Sequence, residues 1–105
     1  MKKIYSFDFD GTIVENKFPD IGEPIQEVID LIKKVKSEGH YIILNTMREG
    51  DYLDEAVEFC DALGIKFDTV NDNLQHLKEV YRNNPRKIYA DYYVDDHNLF
   101  VKSIN

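Results

Sequence analysis

The chain has 105 residues and a formal net charge of -7, room for one domain spanning residues 1–105 and an argument against a general nucleic-acid-binding surface. A single cysteine, Cys60, excludes an internal disulfide framework and a cysteine-rich zinc site. The basic start Met1-Lys2-Lys3 has no long apolar run behind it and no window reaches membrane-spanning length, so a cytoplasmic protein without a membrane partner is expected.

In chain order, Ile4-Tyr5-Ser6-Phe7 is a short apolar run that reads as a buried strand ended by Gly11. It delivers Asp8 and Asp10, two residues apart. On a regular strand such side chains point the same way, so the two carboxylates would crowd and require a cation or a shared proton. Residues 11–23 read as a loop, with Pro24 suited to the first turn of a helix. Ile25, Val28, Ile29, Ile32 and Val35 then recur at helical spacing until Gly39. Tyr41-Ile42-Ile43-Leu44 is a continuous apolar run of the kind found in buried parallel strands.

A second helix carries Leu53, Ala56, Val57, Cys60 and Leu63 on one face and stops at Gly64. Cys60 lies on that stripe and reads as a small core residue. Residues 65–70 suggest a third strand, residues 74–81 a third helix broken at Asn83-Asn84-Pro85, and Tyr92-Tyr93-Val94 a last strand ending in Asp95-Asp96. Strands alternating with helices imply a small three-layer α/β domain with a parallel sheet and right-handed crossovers.

Such a sheet gathers its strand ends at one edge, where ligands bind. Asp8 and Asp10, then Asn45-Thr46-Met47-Arg48, then Asp95-Asp96 would converge there. Hard oxygen ligands suit Mg²⁺, while a threonine hydroxyl and backbone amides suit phosphate oxygens. Lys87 is the candidate cation, with Lys78 in reserve. Arg48 would clamp a substrate phosphate or pair with Glu49. His97 fits a structural or substrate-edge role better than an oxygen-preferring metal. Asn71 and Asn73 would line the rim or simply form turns, and Thr46 would otherwise cap a helix.

These residues carry a resemblance. Asp8-Phe9-Asp10-Gly11-Thr12 resembles the first motif of the haloacid dehalogenase-like (HAD) hydrolases, and Thr46, Lys87 and Asp95-Asp96 resemble the second, third and fourth in order. Pro19-Asp20-Ile21-Gly22-Glu23-Pro24 and the run from Lys87 to Asp96 are similar to segments of small members.

The resemblance implies a Rossmann-like HAD core without a cap domain and a Mg²⁺-dependent phosphatase. Asp8 would be the nucleophile that becomes an aspartyl phosphate, and Asp10 the general acid and base. Thr46 and Lys87 would bind the phosphoryl group. Asp8, the Asp10 carbonyl and Asp95 would hold the metal, with Asp96 acting through water. The substrate would be a phosphorylated small molecule or macromolecule. A capless site also fits a homo-oligomer, with an exposed last strand as one possible interface, and strands beyond the fourth motif are expected to be absent. The alternatives are a receiver-like phosphorylation switch, disfavoured because the third strand ends in Val70-Asn71 and lacks an aspartate, and a catalytically silent HAD-fold binding protein.

Overall fold

The computed structural model describes residues 2–76, 88–95 and 101–102. In chain order these form β1 (Ile4–Phe7), β2 (Val14–Lys17), β3 (Asp20–Pro24), α1 (Gln26–Ser37), β4 (Tyr41–Leu44), α2 (Gly50–Ala62), β5 (Thr69–Val70), β6 (Tyr92–Val94) and β7 (Val101–Lys102). The main sheet runs β5-β4-β1-β6-β7, and β2 and β3 form a separate hairpin. Strands β5, β4, β1 and β6 are parallel, while β7 pairs antiparallel with β6. The expected parallel sheet is thus mostly parallel, with β7 as its antiparallel strand. That strand follows Asp95-Asp96, where the pattern predicts no further strand, and it pairs with the edge of β6, the strand that the pattern makes last and a possible interface.

Strand alternation divides the core. Phe7, Ile42, Leu44 and Val94 pack on one face with Val28, Ile29, Ile32 and Val35 of α1 and with Ala56 and Cys60 of α2. Each such large apolar side chain removed from water contributes roughly 1.5–3 kcal/mol. Ile4 and Ile43 face the other way, against Leu74 and Ala90, with Ile88 and Tyr89 alongside. The steps from β1 to β4 and from β4 to β5 move in one direction, so crossovers of one hand place α1 and α2 on the same face. The return from β5 to β6 passes to the far side of β1, and its flanking residues cover the second face. Of the expected third helix, helical backbone begins at Gln75, and residues 77–81 lie outside the described residues.

Both helices follow their apolar stripes. Gly39 and Gly64 follow them in left-handed backbone, at φ +88° and +83°, which a glycine adopts without the Cβ penalty. Cys60 is a buried core residue, and desolvation pushes its thiol up to about 12.

Three boundaries differ from the pattern. Pro24 is the last residue of β3, paired with Val14, and α1 begins at Gln26 after an Ile25 N-cap. The strand expected over residues 65–70 is reduced to Thr69–Val70. Ile65 instead closes the end of α2, donating its N–H to the Cys60 carbonyl (2.9 Å), and the chain meets β4 only at Asp68, whose backbone and carboxylate both bond Ile42. Residues 11–23, read as a loop, contain the hairpin. Only Val14 of the four β2 residues is buried, so the strand carries no alternating signal, and cross-strand hydrogen bonding is what forms it.

The hairpin register shifts between Val14 and Asn16, whose partners are Pro24 and Ile21, so Gly22 and Glu23 of β3 together oppose the single residue Glu15 and form the bulge. Gly22 sits in that bulge, where any Cβ would collide with the Glu15 carbonyl across the hairpin. Gly22→Ala should therefore destabilise the protein by about 1–3 kcal/mol, read as a lower denaturation midpoint, with faster amide exchange confined to the hairpin; unchanged exchange there would contradict the close approach.

Candidate functional site

The parallel ladder continues one residue past each strand. Asp8 donates its N–H to the Val94 carbonyl (3.0 Å), Asn45 to that of Phe7 (2.8 Å) and Asn71 to that of Leu44 (2.7 Å). Strand order reverses between β1 and its neighbours, one side filled by β4 and the other by β6, and this is where an open α/β sheet leaves its ligand crevice. A cleft of about 260 Å³ lies there, lined by Ser6, Asp8, Asn45, Thr46, Tyr93 and Asp95, with Met47 at its edge. Asp8, Thr46 and Asp95 are thus brought together as the sequence pattern expects.

Asp8 is half-buried, and its Oδ1 accepts the Phe9 N–H at 2.9 Å. The chain then curls tightly. The Phe9 carbonyl accepts the N–H groups of Thr12, Ile13 and Val14, with Gly11 at φ +86°. Within this turn the Thr12 hydroxyl is buried and finds no hydrogen-bond partner among the described residues, a feature that structures tolerate rarely.

The curl redirects Asp10. Strand β1 ends at Phe7, so the two-residue alternation that would set Asp8 and Asp10 side by side does not extend that far. Both oxygens of Asp10 accept instead from Arg48, from Nε and from Nη2, each at 2.8 Å. The crowding expected of the two carboxylates is thus met, for Asp10, by a guanidinium.

Arg48 itself departs from both roles expected of it, the substrate clamp and the pair with Glu49. Its side chain is 1% exposed. Besides Asp10 it donates from Nη2 to the Asp20 carbonyl (3.0 Å) and from Nη1 to that of Tyr52 (3.3 Å). The rings of Phe9 and Phe18 stand 5.1 and 4.9 Å from the guanidinium carbon, within cation–π range. The hydrogen bond to Asp10 raises the Arg48 pKa above its usual value despite burial, so the group stays charged.

Thr46 does not cap α2, whose N-cap position is Glu49 with no side-chain cap. Its Oγ1 accepts the Arg48 N–H (3.1 Å) and its own N–H donates to Asn71 Oδ1 (2.7 Å). The hydroxyl proton remains available to an acceptor in the cleft. Asn71 lies at φ +52°, a left-handed backbone that asparagine tolerates. Asn73 is buried and accepts the Tyr89 N–H (2.8 Å), which makes it a structural clip between two connections rather than part of the rim.

Lys78, Lys87, Asp96 and His97 lie outside the described residues. Among the described residues no three His, Cys, Asp or Glu side chains are close enough to hold a metal ion, and no helix is long and apolar enough to cross a membrane.

Fold and site together define a small α/β protein with an acidic, hydroxyl-bearing cleft at the C-terminal edge of a mostly parallel sheet. A solved structure of a conserved protein from Bacteroides thetaiotaomicron is 39% identical to this chain with a TM-score of 0.82, the match covering 94% of this chain and 79% of that one. The chain belongs to the same family as that protein. No protein-family model matches the sequence, and no curated protein does.

Asn71→Ala removes the acceptor for Thr46 and places a Cβ-bearing residue without a compensating amide in left-handed backbone. A loss of about 1–3 kcal/mol is expected, measured by chemical denaturation, together with faster exchange of the Thr46 amide.

Proposed function

We propose that this protein is a cytoplasmic Mg²⁺-dependent phosphatase on a capless, Rossmann-like HAD core, hydrolysing a phosphomonoester through an aspartyl phosphate on Asp8. The observation that carries this reading is Asp8 at the end of the central strand, sharing one cleft with Thr46 and Asp95. The strand order also favours it over a receiver-like switch. In this chain the third strand of the parallel set (β5) pairs with the second (β4) and the fourth (β6) with the first, whereas the receiver order is 2-1-3-4-5.

In the proposed reaction Asp10 first takes up a proton from solvent; an Asp8 oxygen then bonds phosphorus as the bond to the leaving oxygen breaks, and that oxygen takes the proton from Asp10. Water then attacks the aspartyl phosphate and returns a proton to Asp10, while the bond between Asp8 and phosphorus breaks and phosphate departs. Thr46 donates its hydroxyl to a phosphoryl oxygen, and Lys87 is assigned to offset charge there. Asp8, Asp95 and the Asp10 carbonyl are all hard oxygen donors, and Mg²⁺ needs only one or two carboxylates, so the donor set fits the ion, with Asp96 as the further acid. Bound there, Mg²⁺ would screen the phosphate's charge from the attacking carboxylate. The cleft is open, which suits a phosphorylated small molecule or macromolecule.

Asp8→Asn should lower phosphomonoester turnover by at least about 1,000-fold with an unchanged circular dichroism spectrum; near-normal turnover would reject the nucleophile. A phospho-form that persists after treatment with acetyl phosphate would favour a switch, and phosphate binding without turnover a silent binding protein. Chelation by EDTA should abolish hydrolysis and added Mg²⁺ should restore it. Hydrolysis that continues in EDTA would remove the metal from the mechanism.

A further inference from the structure

The phosphatase reading leaves Arg48 without a task, yet no other charged side chain among the described residues is as fully buried. Burying a guanidinium costs several kcal/mol before its partners repay it, and apolar residues often fill such a site equally well or better. Packing alone is thus a poor reason for an arginine at this position. What an arginine supplies and a hydrophobe cannot is direction: a planar fork that fixes a carboxylate in one plane. Here the fork holds Asp10 through two 2.8 Å bonds. Its other donors reach the Asp20 carbonyl at the start of β3 and the Tyr52 carbonyl in the first turn of α2. Phe9 and Phe18 stack on it from the turn after β1 and from the hairpin tip. Three separate segments therefore hold the guanidinium, and the guanidinium holds Asp10.

Resting on the phosphatase reading, we propose that Arg48 is a positioning residue that fixes the orientation of the Asp10 carboxylate and couples it to the hairpin. Each carboxylate oxygen accepting from Arg48 keeps another lone pair, so Asp10 can take up the travelling proton without leaving the fork, against the guanidinium's preference for the ionised carboxylate. Arg48 keeps its own protons throughout. It touches neither phosphorus nor the leaving oxygen; it acts through Asp10. Lysine would preserve the charge but not the two-point grip.

The role can be separated from a merely structural one by leaving-group chemistry. 4-Nitrophenolate departs without a proton, whereas the alkoxide of glycerol phosphate departs only as it is protonated. In Arg48→Lys, kcat for glycerol phosphate should fall by about 100-fold, the scale of general acid catalysis, with KM little changed. The fall for 4-nitrophenyl phosphate should be less than about a tenth as large, and Asp10→Asn should show the same split. Arg48→Met, similar in length and uncharged, provides a second folded variant if the lysine is not tolerated, with folding checked by circular dichroism, and the same split is expected. Equal losses on both esters, or no loss on either, would overturn the positioning role. Wild-type protein that hydrolyses neither ester, or Asp8→Asn that still hydrolyses both, would instead defeat the phosphatase reading and take this proposal with it.

Discussion

A guanidinium that is 1% exposed must have its charge met and its N–H groups satisfied, and much of the architecture around the turn after β1 follows from how Arg48 meets that requirement. Asp10 supplies the countercharge, and Asp20 and Tyr52 supply carbonyls. Those acceptors come from the turn after β1, the hairpin and the start of α2, so one side chain joins elements that the main sheet does not hydrogen-bond together. The interaction differs in kind from surface pairs such as Lys66 with Asp61, whose side chains are 82% and 49% exposed. Water screens that pair, and it contributes little.

The second organising constraint is the parallel ladder. Strand β1 has a parallel partner on each side, and the amides of Asp8 and Asn45 continue those ladders beyond the last strand residue. The cleft inherits this rigidity. Thr46 is fixed from both sides, by Asn71 through its amide and by the Arg48 N–H through its hydroxyl oxygen. The polar groups of the cleft thus stand on backbone that hydrogen bonds hold in place, which is the preorganisation that electrostatic catalysis exploits.

How far sequence led depended on the range of each signal. The stripe Val28, Ile29, Ile32 and Val35 made α1 legible because a helix writes its burial into every third or fourth residue. The run Tyr41 to Leu44 did the same for β4, since both faces of that strand are buried. Strand β2 left no such trace, with three of its four residues exposed, and β5 is too short to show a period. Pro24 misled because proline suits both a first helical turn and the end of an edge strand.

By itself the sequence determined the α/β alternation, the two helices with their glycine stops, and Asp8, Thr46 and Asp95 at strand ends, because each rests on local periodicity or on the direction of a parallel strand. Only the tertiary structure decided what faces Asp10. The answer was a residue 38 positions away, brought there by a curl in the chain after Phe7 and by the return of β4 alongside β1. Local pattern offers Arg48 the substrate or Glu49, and Asn71 the rim or a turn. The folded chain commits the first to a buried carboxylate and the second to the Thr46 amide, since hydrogen-bond partners are chosen by which surfaces the core brings together, not by their order along the chain.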